Sequence, residues 1–597
     1  MIILVKIKID WRLITMKKTK IICTLGPSTD NREIIKQLML NGMDVARLNM
    51  SHQNQKFQKI RADMVKEVRK ELNLPVALLL DTKGPEIRIK SFSTPKITLK
   101  KNDVFTLTSR DIIGDNSIVS VTFPGLINDI SIGNIILIDD GLIGMKVKSI
   151  SDTDIVCTVL NNGTLSANKS INVPSIKLSM PFISDADYKD IKFAVEENFD
   201  FIAASFTRTA DDIITLRSEL QKLNGEHINI IAKIENLEGV KNIDEIIKVA
   251  DGIMVARGDL GVEIPIEDVP VMQKKLIHKA YAAGKHVITA TQMLESMVKN
   301  PRPTRAESND VANAIYDGTS AIMLSGETAA GNYPVLALKT MAAIAKRTEQ
   351  DIDYKKRFSK REITEKPNIT SAVSHATCTT AHDLGAVAII AMSKSGRTIR
   401  MISKYRPDCT IVGGASDETV LRQMNLSWGV IPLYMTEKPS TDELFNHTVE
   451  TAYKHGIVKD GDIAVITVGI PLGISGSTNL IKVHLVGDVL ISGHGVTNLS
   501  ASGILCVCKN EDEAKKKFKQ GNILVIPKTS NEILDIIKAA SAIVTEDVDE
   551  DSHAAVLGFA NNKPVIINAK NATNLLESGT LATVDSGRGI VFRGTKL

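Results

Sequence analysis

Two short apolar stretches of this chain end in charge: Ile228-Asn229-Ile230-Ile231-Ala232-Lys233-Ile234-Glu235-Asn236, and Gly252-Ile253-Met254-Val255-Ala256-Arg257-Gly258-Asp259. Unpaired buried charge is expensive, so a lysine and two carboxylates on consecutive apolar strands are poor material for a core and suit a charged site. Strand geometry projects Ile231, Lys233 and Glu235 to one face and Ala232, Ile234 and Asn236 to the other, so Lys233 and Glu235 share a wall. Taken alone, the pair reads equally as a structural ion pair, which also perturbs pKa values, or as a functional centre.

Elements able to position such a centre recur along the chain. Short apolar runs separated by helix-length amphipathic intervals span Lys20 to Gly26, Asp44 to Ser51, Pro75 to Thr82, Phe199 to Phe206, Ile228 to Asn236, Gly252 to Arg257, His286 to Gln292 and Thr319 to Gly326. Eight β/α units predict a closed (β/α)₈ TIM barrel, whose strand C-terminal ends carry the chemistry. Polar residues cluster at those ends: Arg47, Asn49, Ser51, Asp81, Thr82, Lys83, Lys233, Glu235, Asp259, Thr291, Ser325 and Glu327.

Between the third and fourth units lie over a hundred residues rich in Thr, Ser, Ile and Val, with turn signals at Asp139-Asp140-Gly141 and Asn161-Asn162-Gly163. They read as an inserted all-β domain, a lid that excludes water from the rim on closure. After a charged stretch, Asp351 to Lys366, alternating α/β elements continue to about Val486, and strands such as Asn522-Ile523-Leu524-Val525-Ile526 form an appended small domain. The expected division is therefore 1–16 extension, 17–84 and 175–350 barrel, 85–174 inserted domain, 351–486 α/β domain and 487–597 appended domain.

At 597 residues the chain is long enough for several domains and an enzyme. A net charge of +4 from interspersed acids and bases argues against a nucleic-acid partner. The six cysteines are scattered; Cys506 and Cys508 read as one strand face, and the pattern suits a reducing cytoplasm. No apolar run approaches the ~18 residues of a membrane helix, and the first fifteen residues interleave Lys6, Lys8, Asp10 and Arg12 with apolar residues, a poor signal peptide. The expectation is a cytoplasmic protein without a membrane partner. Met16-Lys17-Lys18 is a more natural start, which makes residues 1 to 15 either an extension or a misplaced start.

Neither a Walker-A nor a Rossmann fingerprint occurs, so a nucleotide must be held otherwise. Seven motifs carry a resemblance: Cys23-Thr24-Leu25-Gly26-Pro27-Ser28, Arg47-Leu48-Asn49-Met50-Ser51-His52, Asp81-Thr82-Lys83-Gly84-Pro85-Glu86-Ile87-Arg88, Lys233-Ile234-Glu235-Asn236, Met254 to Glu263, Ala290-Thr291-Gln292-Met293-Leu294-Glu295-Ser296-Met297 and Ser325-Gly326-Glu327-Thr328. In type and order they are similar to those of the pyruvate kinases, over about Lys17 to Val486.

The resemblance implies phosphoryl transfer from phosphoenolpyruvate to ADP, giving pyruvate and ATP. It implies Glu235 and Asp259 as hard oxygen ligands of Mg²⁺ or Mn²⁺. Lys233 becomes a point cation beside the transferring group and Arg47 a fork on its phosphate. Substrate contacts are expected at Gly258, Asp259 and Thr291, with Arg257 orienting Asp259 and its loop. Thr291 either supports proton delivery to the enolate through water or only orients the substrate. Asn49, Ser51, Asp81 and Thr82 match a K⁺ site, and Glu86 supports K⁺ dependence, because members with lysine there supply the cation internally. His52, Arg88 and Lys169 are the implied nucleotide contacts.

Ser393-Lys394-Ser395-Gly396-Arg397-Thr398 opens a helix after a strand and can hold a phosphate; the resemblance makes Ser393, Ser395, Gly396, Arg397 and Thr398 an effector loop, with an ordinary helix start as the bland alternative. The loop Gly469 to Gly476 lacks the Trp and Arg that hold a second phosphate, which favours a sugar-monophosphate or nucleotide effector, or none. A homotetramer is implied by the resemblance alone. In the tail, Ser552-His553-Ala554-Ala555-Val556 resembles the mobile phosphohistidine domain of phosphoenolpyruvate-utilising enzymes, which implies that the appended domain is of the swivelling type. Val548-Asp549-Glu550-Asp551 replaces the usual Gly-Gly-x-Thr, and its carboxylates should repel phosphate, which favours a structural or regulatory tail.

Overall fold

A computed structural model of the chain describes residues 17–52, 54–174, 176–359, 368–470 and 478–594. The start at Met16, part of the charged stretch after Asp351 and most of the loop Gly469 to Gly476 lie outside the described residues. The chain divides into two compact units, Met1–His375 with Ala391–Glu437 and Val468–Asn479, and Ala376–Ile390 with Lys438–Thr467 and Leu480–Leu597.

In the first unit eight strands close a parallel barrel in sequential order: β1 Lys20–Thr24, β2 Val45–Asn49, β3 Ala77–Asp81, β4 Phe201–Ala204, β5 Asn229–Ile234, β6 Gly252–Ala256, β7 His286–Ala290 and β8 Ala321–Leu324. Both strand faces are covered, which is why the sequence shows continuous apolar runs rather than alternation. The inner layer contains Ile22, Val45, Leu79, Phe201, Ile231, Met254, Ile288 and Met323, and Ile21, Ala46, Leu78, Ile230, Ala232 and Ile234 pack outward against the helices. Ile231 and Ile230 thus face opposite ways, as strand period requires. Several helices start at capping boxes, among them Ser184 with Asp187 and Thr209 with Asp212.

The N-terminal ends of the strands share one device. The residue just before each even-numbered strand accepts a hydrogen bond from the second backbone N–H of the strand before it. Asp44 accepts from Ile21 at 2.7 Å, Asp200 from Leu78 at 2.8 Å, Asp251 from Ile230 at 3.0 Å and the Ser320 hydroxyl from Val287 at 3.3 Å. Each carboxylate also has a basic partner: Lys17 and Lys20 for Asp44, Arg422 for Asp200 and Arg217 for Asp251. Alternate strands of such a barrel contribute to common layers, which explains the fourfold repeat.

Between β3 and β4 stands the inserted domain. Its seven-stranded sheet runs in the order Ile87–Arg88, Ser170–Asn172, Ile135–Ile138, Ile143–Ile150, Asp154–Val159, Val104–Thr108, Ile118–Ser120, beside a two-stranded ladder of Lys96–Leu99 and Gly163–Ser166. Phe105, Leu107, Ile136, Met145, Ile155 and Val159 belong to its own core. From Ile369 to Gly469 helices and strands alternate, a further strand follows at Thr478–Leu485, and Thr410–Ala415 pairs in parallel with Val430–Tyr434.

The last segment, in the second unit, forms an eight-stranded sheet whose four consecutive parallel strands are Ser500–Val507, Ile523–Ile526, Ala542–Thr545 and Val565–Ile567. Cys506 and Cys508 are buried on one face of it with Sγ atoms 3.7 Å apart, as the alternation predicts. No helix among the described residues is long and apolar enough to cross a membrane.

Candidate active site

The strand ends opposite the carboxylate ring carry a buried chain of alternating charge. Arg47, at the end of β2, donates from Nε to Asp81 Oδ2 at 2.6 Å and from Nη1 to the Thr24 hydroxyl at 2.8 Å. Lys233 Nζ lies 3.1 Å from Asp81 Oδ1 and 2.8 Å from Glu235 Oε1. Asp81 and Glu235 are at most 1 % exposed, so these ions interact with little solvent between them. Burial pushes the Asp81 carboxyl up, but Arg47 and Lys233 outweigh it and hold it below the carboxylate range. Burial likewise opposes the Lys233 charge, and Asp81 and Glu235 more than offset that, leaving its pKa above the ordinary lysine value.

Glu235 differs. Burial, offset in part by Lys233 and reinforced by Asp259, pushes its carboxyl up to about 7. Asp259 sits in the first turn of the helix Arg257–Glu263, with no hydrogen bond or ion pair among the described residues. Two mutually repelling carboxylates, one of them unpartnered, are a donor set fitted to a divalent cation. No group of three or more His, Cys, Asp or Glu side chains among the described residues is arranged to hold a metal. The pair would therefore share its cation with other oxygen donors, such as a bound substrate.

Of the K⁺ candidates, Asn49 and Asp81 are register partners in β2 and β3. Asn49 Oδ1 accepts from Ser51 N at 3.0 Å, and the Thr82 hydroxyl accepts from Ser205 N at 3.1 Å and donates to the Ala203 carbonyl at 3.3 Å. The set is rich in oxygens that retain free lone pairs, as a monovalent cation requires.

Thr291 and Gln292 have φ of 70° and 54°, and for a β-branched residue such as Thr291 that is a strained conformation. Its hydroxyl donates to the Ala290 carbonyl at 2.6 Å and accepts from Gly258 N at 2.8 Å, so it braces the turn that carries Asp259. Arg257 has no hydrogen bond or ion pair with Asp259 among the described residues. It donates to Asp310 at 2.6 Å and to the carbonyls of Ala290 and Thr291, because its position at the helix start faces the neighbouring β7 end. It fastens the loop that carries Asp259 to the loop after β7.

The nucleotide candidates are held elsewhere. Arg88 is paired with Glu86 at 2.7 Å and donates to the Asn168 carbonyl at 2.6 Å, Lys169 is paired with Asp139 at 2.8 Å, and His52 is exposed beyond β2. A nucleotide using Arg88 or Lys169 must compete with these carboxylates. In the effector loop, Gly396 has φ 69° as the cap of the helix Arg397–Lys404, Ser393 N donates to the Gly414 carbonyl, the Thr398 and Thr478 hydroxyls lie 2.5 Å apart, and Arg397 is exposed. His553 in the last domain has Nδ1 at 3.0 Å from the Thr529 hydroxyl and Nε2 at 3.0 Å from Asn531 Oδ1, so both ring nitrogens are occupied.

Ser205 and Phe206, which follow β4, escaped the sequence reading. The Ser205 hydroxyl accepts from Lys233 Nζ at 2.7 Å and donates to the Thr82 carbonyl at 2.7 Å, and Phe206 N donates to Glu235 Oε2 at 2.6 Å. Ser205 is the polar residue ending the fourth apolar run, the same signal that picked out the other strands.

Three family descriptions match consecutive parts of the chain: the pyruvate kinase barrel domain over residues 16–338, the pyruvate kinase alpha/beta domain over 371–484 and the mobile domain of PEP-utilising enzymes over 518–589. A pyruvate kinase of Geobacillus stearothermophilus is 48% identical over 97% of this chain and 99% of its own, and one of Sporosarcina psychrophila is 45% identical with the same coverage. The crystal structure of a pyruvate kinase from Cryptosporidium parvum superposes with a TM-score of 0.75 at 38% identity, covering 79% of this chain and 97% of that one. With the barrel, the α/β elements and the charged strand ends all accounted for, the chain belongs to the pyruvate kinase family of phosphotransferases.

Proposed function

We propose that the chain transfers the phosphoryl group of phosphoenolpyruvate to ADP, releasing pyruvate and ATP. The observation that carries this is the buried chain Arg47–Asp81–Lys233–Glu235 with the unpartnered Asp259 beside it. Asp81 fixes the Arg47 guanidinium through Nε, and the remaining N–H groups are a fork for substrate phosphate. Lys233, held on three sides by Asp81, Glu235 and Ser205, cannot wander and offers preorganised positive charge where the transferring oxygens gather it.

Glu235 and Asp259 would hold Mg²⁺ or Mn²⁺, which supplies Lewis-acid stabilisation of substrate oxygens. Asn49, Ser51, Asp81 and Thr82 would hold K⁺, which adds positive charge that no side chain provides there. Thr291 braces Gly258 and Asp259 against the substrate, and the proton reaches the enolate carbon through water, because this hydroxyl is committed to the Ala290 carbonyl. His52, Arg88 and Lys169 take ADP, the latter two exchanging Glu86 and Asp139 for its phosphates, with the inserted domain closing as a lid. The working form is a cytoplasmic homotetramer, and a sugar monophosphate or nucleotide acts at residues 393–398.

A coupled assay for ADP-dependent pyruvate formation tests the reaction: pyruvate formed as fast without ADP as with it, or none formed at all, would sink it. Rates in K⁺, Na⁺ and choline buffers test the monovalent site, and equal rates in all three would refute it.

A further inference from the structure

The segment Ser205 to Arg208, between β4 and its helix, touches both the charged chain and the two connectors of the inserted domain. Ser205 and Phe206 bind Lys233 and Glu235 as described above. Gly84, on the outgoing connector, has φ 71°, and a Cβ there would lie 2.8 Å from Ser205 Cβ and 3.0 Å from the Phe206 ring. Two residues further on, Arg208 reaches the returning connector: its Nη1 donates to the carbonyls of Leu178 at 3.1 Å and Met180 at 3.2 Å. The opposite edge of the guanidinium is locked by Asp212, which accepts from Nε at 3.3 Å, from Nη2 at 3.2 Å and from the Arg208 backbone N–H at 2.9 Å. Asn242 closes the arrangement by donating to the Arg208 carbonyl at 3.0 Å. Only a planar fork can serve a carboxylate on one side and two carbonyls on the other; a lysine ammonium satisfies one side at a time.

Resting on the phosphoryl-transfer reading above, we propose that Arg208 is a positioning residue that couples the hinge of the inserted domain to Lys233 and Glu235, so that closure and alignment of the charged chain are one event. A four-residue segment joins them, and movement of the connector at Leu178 and Met180 pulls on the segment whose Phe206 N–H holds Glu235 and whose Ser205 hydroxyl holds Lys233. A loosened hinge admits water beside the phosphoryl group. The water oxygen then bonds to phosphorus, the bond from phosphorus to the enol oxygen breaks, inorganic phosphate leaves, and the enolate takes a proton at carbon to give pyruvate without ATP.

The test measures ATP and inorganic phosphate in the same reactions of the full chain with phosphoenolpyruvate, ADP, Mg²⁺ and K⁺, for wild type, Arg208→Ala and Arg208→Lys. Both variants should lose roughly 10- to 100-fold in kcat for ATP formation, with phosphate released per ATP rising about tenfold, and methylguanidinium should restore part of the lost coupling in Arg208→Ala but not in Arg208→Lys. Loss of rate with a wild-type phosphate-to-ATP ratio, or an unaltered rate, would overturn the coupling. Should Arg208→Ala melt at the assay temperature, Arg208→Lys decides by the same ratio. Wild-type protein forming no ATP overturns the underlying reaction, whereas wild-type ATP formation with normally coupled variants overturns this inference alone.

Discussion

The two ends of the barrel handle buried charge in opposite ways. At the N-terminal ends, Asp44, Asp200 and Asp251 each accept from a backbone N–H and face lysine or arginine, although burial still pushes the Asp200 carboxyl up. At the C-terminal ends, Glu235 is paired in the same way, with Lys233 and the Phe206 N–H, but Asp259 has no partner among the described residues and, with burial, pushes the Glu235 carboxyl up to about 7. A paired buried carboxylate costs stability when its partner is removed, whereas an underpaired one costs stability by being there. One end is built to hold strands in register. The other keeps repulsion in store that a substrate complex can relieve.

That contrast breaks most sharply at Lys233. Lys233→Met should lower kcat roughly 10³-fold while circular dichroism remains that of wild type; a variant with near-normal turnover would sink the mechanism. At the opposite end, Asp200→Ala strands Arg422 and should cost about 3–5 kcal/mol of unfolding free energy, read from denaturant titration, with KM for phosphoenolpyruvate unchanged. Both substitutions strand buried charge, so it is turnover that separates them, and a loss of kcat in Asp200→Ala equal to that in Lys233→Met would erase the distinction between the ends.

Asp259→Asn sharpens it further. The substitution removes a charge that repels Glu235, so the metal-free protein should melt no lower than wild type while turnover drops about 10²-fold. Differential scanning calorimetry and the coupled assay together check this, and a large destabilisation would mean that Asp259 has a structural partner after all.

The smallest effect concerns pH. His286 begins β7, edge-on to Phe201 with ring centroids 6.5 Å apart, near Arg400, Asp251, Lys285 and Arg406. Burial, with Arg400 adding to it, lowers its pKa to about 3. The unfolded chain binds the extra proton below about pH 6.5, so stability should rise with pH between about 3 and 6.5, with a slope of at most about 1.4 kcal/mol per unit. His286→Gln should flatten that acid limb in unfolding curves between pH 4.5 and 7, and an unchanged limb would assign it to other groups.

Much of the candidate site was legible because strand period and strand ends are local properties. Lys233 and Glu235 share a face two residues apart, and Arg47, Asp81 and Asp259 end apolar runs as they do. Ser205 carried the same signal at the end of the fourth run but is a small hydroxyl among charged neighbours. The partners of Arg257 were not legible, because adjacency in sequence to Asp259 says nothing of direction, and its guanidinium reaches Asp310 and the Ala290 and Thr291 carbonyls. Arg208 gave no signal at all, because its partners Leu178 and Met180 are carbonyls some thirty residues earlier that any side chain could carry.

By itself the sequence determined eight β/α units, an insertion after the third, the appended domain and the residues delivered to the barrel rim, since these follow from periodicity, turn chemistry and family motifs written along the chain. Tertiary structure alone decided the carboxylate ring, the partners of Lys233 beyond Glu235, the strained brace at Thr291 and the tie from Arg208 to the inserted domain. Those depend on which strand ends become neighbours on closing the barrel, and a hydrogen bond between distant residues exists only once closure has set their separation.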